Sequence, residues 1–185
     1  KNIFLNALSK KTDGNNKKLN LGCGKKTKEG FENVDNFKAD YIDATYNLYD
    51  IPYINNSISE IHSEHSLEHV GYEKGNLAIN EWFRVLKPGG ILDLKIPDLE
   101  LCITKFLEST EENYKQWFKF TIFGYQKALA GESDDSQIHR WGYTKNDIKK
   151  ILENAGFIID YLVNYDGYDT PSIAIRAIKP ISNIK

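Results

Sequence analysis

The stretch Lys18-Leu19-Asn20-Leu21-Gly22-Cys23-Gly24 decides how this chain is read. An apolar segment runs straight into a Gly-x-Gly turn, and Asp35 closes Asn33-Val34-Asp35 eleven residues past Gly24. Glycine has no Cβ, so a strand ending on it lets a ligand approach the backbone closely. A carboxylate at the end of the next strand offers acceptors to both hydroxyls of a ribose. Strand, glycine turn, strand and acid form a nucleoside-gripping arrangement of α/β folds. The pattern predicts a first strand ending at residues 19–21 and a second over 31–35.

Working outward, residues 25–30 alone separate Gly24 from Phe31. A parallel crossover ordinarily takes about a dozen residues or more, usually a helix. The first crossover is therefore expected to be short and irregular. Residues 36–46 also leave too little room for a full helix, and a third strand is expected around 41–44. Ile51-Pro52-Tyr53 followed by Asn55-Asn56-Ser57 reads as a turn. A fourth strand over 59–63 ends at Glu64-His65. A helix over 75–86 places Leu77, Ala78, Trp82, Val85 and Leu86 on one face. Lys87-Pro88-Gly89-Gly90 is expected to stop it. Residues 91–96 alternate as a fifth strand, closed by Pro97-Asp98.

Residues 99–143 break this rhythm and are rich in aromatics. Helices are expected over 99–107 and 111–123, then a polar loop over 131–137. Thr144, with Asp147 completing a capping pattern, opens a helix that runs to Ala155 and stops at Gly156. Strands over 157–163 and 172–177 are joined by the turn-rich residues 164–171. Two successive strands cannot both be parallel without a crossover, so the last is expected to be antiparallel. Residues 3–8 read as a short helical turn and 10–18 as a loop. The whole is an α/β sheet: an N-terminal extension over 1–17, then one domain over 18–185, with 99–143 as a helical cover.

The chain has 185 residues, enough for one domain with a proper core. Its formal net charge of -2 gives no general attraction to nucleic acid or anionic lipid. Cys23 and Cys102 make neither a disulfide framework nor a metal set. No apolar run reaches membrane-spanning length, and no signal peptide is visible, so no membrane partner and a cytoplasmic location are expected. The sequence has no Met and begins at Lys1, so it need not be the whole translation product.

At this point the pattern resembles the class I S-adenosylmethionine-dependent methyltransferases, and within them the small type 11-like methyltransferase-domain group. The resemblance rests on Leu19-Asn20-Leu21-Gly22-Cys23-Gly24 with Asn33-Val34-Asp35, on residues 51–57, on His65-Ser66-Leu67-Glu68-His69-Val70, on Arg84-Val85-Leu86-Lys87-Pro88-Gly89-Gly90, and on residues 139–157. It implies a Rossmann-like sheet, mostly parallel with an antiparallel last strand, shortened first crossovers and a helical insertion after the fifth strand. It implies S-adenosyl-L-methionine as cofactor. Gly22, Cys23 and Gly24 would lie under its methionine part, and Asp35 would bind the ribose. Asn47 stands where the family often has an aspartate for the adenine amino group, and the Leu48 amide would meet the ring. Ser63 and Glu64 would offer carbonyls to the cofactor's amino group.

Methyl transfer is an in-line displacement in which the protein mainly positions the acceptor and excludes water. A hydroxyl acceptor is helped by a general base. His65, Asp98 and His139 are the candidates, each with a structural alternative as packing group, helix cap or surface histidine. His69 reads as structural. Trp117, Tyr125, Gln126, His139 and Arg140 suggest a small polar acceptor, such as a saccharide. The aromatics of 114–125 also read as core. His65 and His69 lie four apart, but nothing else in the sequence completes a metal ligand set, so no metal is expected. An NAD-type oxidoreductase shares the glycine turn and the acid, but Thr27 stands where its third glycine belongs. A non-catalytic domain that binds the same cofactor is the other alternative.

Overall fold

Alternating apolar residues build one sheet, and the order of its strands places the glycine turn at the centre of one edge. The computed structural model describes residues 11–125, 136–165 and 170–181. Its strands are β1 (Lys18–Leu21), β2 (Glu32–Asp35), β3 (Ala44–Thr45), β4 (Ile58–Glu64), β5 (Leu86–Pro97), β6 (Ile158–Tyr165) and β7 (Ser172–Ile178). They stand in the order β3-β2-β1-β4-β5-β7-β6. β7 runs antiparallel to both β5 and β6, and the other described pairings are parallel. The reversed strand is thus inserted between its neighbours. No helix lies between β1 and β2 or between β2 and β3, so both early crossovers are short, as their lengths require. Residues 3–8 and Gln126, most of the polar loop and the middle of the last turn lie outside the described residues.

The helices are α1 (Tyr72–Val85), α2 (Leu99–Glu108), α3 (Glu112–Phe123) and α4 (Lys145–Ala155). α4 opens on the expected capping box: Thr144 accepts from the Asp147 backbone while Asp147 accepts from the Thr144 backbone. Such a cap contributes about 1 kcal/mol. Gly156 ends α4 at φ 103°, a left-handed conformation that side chains avoid. α1 packs Ala78, Ile79, Trp82 and Val85 into the core. The fully buried Trp82 donates its indole N–H to the Leu48 carbonyl at 2.9 Å.

Three expectations need correction. Leu77 is 57% exposed, because the buried stripe of α1 runs through Gly75, Ala78 and Ile79 instead. The third strand is only Ala44–Thr45, because Asp43 is held in the loop: its carboxylate accepts from both the backbone and the side-chain amide of Asn33. Lys87-Pro88-Gly89-Gly90 does not cap α1. Leu86 is already extended, and these residues form the irregular start of β5, tied to Lys179 at Gly89 and Gly90.

Candidate active site

β1 delivers Gly22 at φ 67° and Gly24 at φ 50°. A Cβ on Gly22 would stand 2.3 Å from Ser66 Cβ, whereas one on Gly24 would meet nothing within 4 Å. Gly22 is therefore demanded by packing, and Gly24 keeps an open face. The turn is pinned from β2. The Gly22 and Cys23 amides both donate to the Val34 carbonyl, and the Gly24 amide donates to Asp35 Oδ2 at 2.8 Å. The other Asp35 oxygen accepts from the Asn36 amide at 2.7 Å. Each carboxylate oxygen has a second lone pair, so the half-exposed Asp35 can shape the turn and still accept from a ligand.

Beside this turn, Leu48 is buried and Asn47 exposed. Among the described residues, no protein acceptor takes the Leu48 amide. The Ser63 hydroxyl is committed inside the protein, 3.1 Å from the Leu21 carbonyl and 2.5 Å from Ser66 Oγ. Only its backbone remains for a ligand. Glu64 sits between Lys26 at 3.1 Å and Lys95 at 3.4 Å. Burial pushes its carboxyl upward, but those two lysines outweigh it and hold the group below the ordinary value. Burial pushes the Cys23 thiol up to about 11 and Cys102 up to about 12. Both are protonated at neutral pH and unsuited to nucleophilic attack.

The other half of the site lies just past β4. His65 has φ 51°, a left-handed conformation that costs a non-glycine residue about 1–3 kcal/mol. The chain then makes a single 3-10 turn, Leu67–His69. Glu68, 1% exposed, points inward, and neither carboxylate oxygen has a hydrogen-bond partner. Instead it faces imidazoles: His65 Nδ1 at 3.4 Å and His139 Nε2 at 3.9 Å, both from Oε1. The His69 and His139 rings meet edge to face at 4.8 Å. Backbone pairing brings this distant segment in. The Arg140 and Trp141 amides both donate to the Glu68 carbonyl, and the His139 amide donates to the Phe123 carbonyl. Tyr143 closes the group with a buried, unpartnered hydroxyl. The space for it exists because residue 75 is glycine; a Cβ there would stand 2.2 Å from that hydroxyl.

Burial, the strongest influence on Glu68, favours its neutral form, but the imidazoles of His65, His69 and His139 outweigh it and hold the carboxyl below its ordinary range. Burial lowers His139, against the pull of Glu68. A neutral imidazole beside a carboxylate can accept a proton and be stabilised once charged. Glu68 and Tyr143 were not among the residues singled out from the sequence; the only signal for Glu68 was its place in Leu67-Glu68-His69.

Asp98, expected among the candidate bases, has a structural task. It is 2% exposed, caps α2 by accepting from the Leu101 amide at 3.1 Å, and accepts from Asn164 Nδ2 at 2.7 Å. With both oxygens engaged it is a strut between α2 and β6. The aromatics of α3 are not mainly core. Phe118 is buried, whereas Tyr114, Trp117, Phe123 and Tyr125 are exposed, with Tyr125 stacked on Phe120. Arg140 donates to the His69 carbonyl at 2.8 Å and so braces the 3-10 turn.

Residues 25–94 match the family model described as "Methyltransferase domain". No curated protein matches the chain in sequence. Among solved structures the chain is similar to a SAM-dependent methyltransferase from Methanosarcina mazei, with 17% identity, a TM-score of 0.58, and 93% of this chain and 96% of that one covered. It is also similar to a possible histamine N-methyltransferase from Thermotoga maritima, with 13% identity, a TM-score of 0.54, and coverage of 88% and 82%. The cyclase SpnF shares the fold at 15% identity and a TM-score of 0.57, with coverage of 94% and 78%, so the fold alone does not fix the reaction. No helix among the described residues is long and apolar enough to cross a membrane. The domain match over residues 25–94 and the seven-stranded sheet with its reversed strand make the chain similar to the S-adenosylmethionine-dependent methyltransferases in fold.

Proposed function

We propose that this protein methylates a hydroxyl group of a small polar acceptor, a saccharide or related metabolite, in the cytoplasm. Two buried, unpaired thiols are in keeping with a reducing compartment. The cofactor of its family, S-adenosylmethionine, supplies an electrophilic methyl on a sulfonium when bound. The residues fit it. Gly24 leaves backbone open to a ligand, Asp35 keeps lone pairs for ribose hydroxyls, and the Leu48 amide has no protein acceptor among the described residues.

One observation carries the hydroxyl reading: a largely buried His139, held neutral, stands beside the ionised Glu68. His139 takes the acceptor's proton, and Glu68 stabilises the imidazolium that results. His65, 3.4 Å from the same Glu68 oxygen, helps to orient the carboxylate. The exposed rings of Trp117 and Tyr125 offer flat apolar surface on the cover.

The test is transfer of labelled methyl from the cofactor to matched panels of hydroxyl and amine acceptors. Transfer to hydroxyls supports the reading. Transfer to amines alone, or to protein or RNA and never a small molecule, overturns it. Cofactor binding without any transfer assigns the chain to the non-catalytic alternative. Asp35→Ala is expected to weaken cofactor binding by about 1.5–3 kcal/mol, the scale of a lost charge-assisted hydrogen bond. His139→Ala is expected to lower turnover while leaving cofactor affinity near wild type; equal losses in both would make it structural.

A further inference from the structure

The unpartnered Glu68 asks for a positive charge, and the histidines around it are metal ligands by type. Glu68, His69 and His139 each present one ligating atom, and the three atoms lie within 4.8 Å of one another. We propose that these residues form a binding site for a divalent transition-metal ion of the zinc, iron or cobalt kind. The sequence did not show it, since His65 and His69 are the pair with ligand-like spacing and His65 is not part of the set.

Four features support the site. A carboxylate that is 1% exposed with neither oxygen hydrogen-bonded, and with imidazoles at 3.4 and 3.9 Å instead, lacks the hydrogen bonds that buried charges normally have. The donor set, two imidazoles and one carboxylate, suits borderline divalent ions and leaves coordination positions open. The Nδ1 of His69 is 3.1 Å from the Ile138 carbonyl. A carbonyl only accepts, so Nδ1 carries the proton and Nε2 is left as the ligating atom; metal-bound histidines are commonly fixed in this way. Finally, Glu68 and His139 line one small cleft with Thr121, Trp141 and Tyr143, where there is room for about one water.

Ligand atoms in a tetrahedral site with bonds of 2.0–2.2 Å lie about 3.4 Å apart. Closing the set therefore takes side-chain shifts of about 1 Å, within the reach of imidazoles on a 3-10 turn and a loop. His65, 3.4 Å from Glu68 Oε1 and 3.4 Å from Ser172 Oγ, orients the carboxylate from outside the set. With an ion bound, His139 is a ligand and no longer the base; the ion's open position takes a water or an acceptor's hydroxyl oxygen and eases loss of its proton instead. That use rests on the methyltransferase reading; the site itself does not.

The test uses the whole chain, stripped with a chelator and titrated with Zn²⁺ by calorimetry and with Co²⁺ by visible absorption, without cofactor or acceptor. The expected result is one equivalent taken up in the micromolar range, with visible bands for Co²⁺ in a low-symmetry site. Glu68→Gln and His139→Gln are each expected to weaken uptake more than about 10-fold, given that even the loss of outer-shell partners costs 10–100-fold. His62→Gln, which alters the histidine packed against Phe31, is expected to leave it unchanged. No uptake by the wild-type chain overturns the proposal whatever the variants do. So does uptake by a folded Glu68→Gln chain equal to wild type. Either failure leaves the methyl-transfer reading standing.

Discussion

Two glutamates, the partly buried Glu81 and the buried Glu68, have opposite surroundings. Glu81, on α1, is fully answered. One oxygen accepts from Lys11 at 2.9 Å, the Ile51 amide at 3.0 Å and Arg84 at 2.7 Å; the other accepts from Arg84 at 2.7 Å. Arg84 reaches on to the Ile51 carbonyl and Asn55. Lys11 lies before the sheet, Ile51 before β4 and Arg84 on α1, so this node ties separate parts of the chain together. Glu68 is buried more deeply and has no such bonds. A charge tied by hydrogen bonds to partners from separate parts of the chain serves the fold, whereas one left without them among imidazoles is available for chemistry.

The largest effect expected is at the matched site. Glu81→Ala leaves Lys11 and Arg84 without their partner and is expected to destabilise the fold by about 3 kcal/mol, read as a shift of the urea midpoint. A loss below about 1 kcal/mol would make the node decorative and weaken the contrast.

A smaller effect comes from acid. Burial pushes Glu81 up, but Arg84, Lys11 and the Ile51 amide hold it below its ordinary value of 4.5. The folded value lies below the unfolded one, so the stabilisation is complete above about pH 4.5 and is lost as pH falls through the folded value. The stability difference between wild type and Glu81→Gln should therefore shrink on acidification below pH 4.5 and stay flat above it. A difference that grows on acidification would reverse the assignment.

The smallest effect is expected at Glu68. Glu68→Gln breaks no hydrogen bond of the kind Glu81 makes, and its unfolding free energy should stay within about 1 kcal/mol of wild type. A loss as large as that of Glu81→Ala would show that Glu68 also serves the fold, and the comparison would collapse.

Much of the fold was readable before any coordinates because its signals are local. Alternation marked the strands, Thr144 and Asp147 marked the start of α4, and the six residues 25–30 between Gly24 and Phe31 left no room for a first crossover helix. The Gly22–Asp35 half of the site was readable for the same reason, since strand pairing joins residues close in sequence. Glu68 was not. Its meaning comes from His139, which follows it only after α1, β5, α2 and α3 and is brought in through backbone bonds that no periodicity announces. Asp98 could be read as base or cap, and only its contacts with Leu101 and Asn164 decide for the cap. The α3 aromatics misled because helical spacing reports that a stripe exists, not whether anything covers it.

The insertion of β7 has a consequence for how the molecule is made. During synthesis β5 and β6 emerge before the strand that will lie between them, so each carries a bare hydrogen-bonding edge until Ser172–Ile178 follows. Such edges invite pairing with other chains. Exposure to misassembly is thus expected to be greatest before Ser172–Ile178 docks between these two strands.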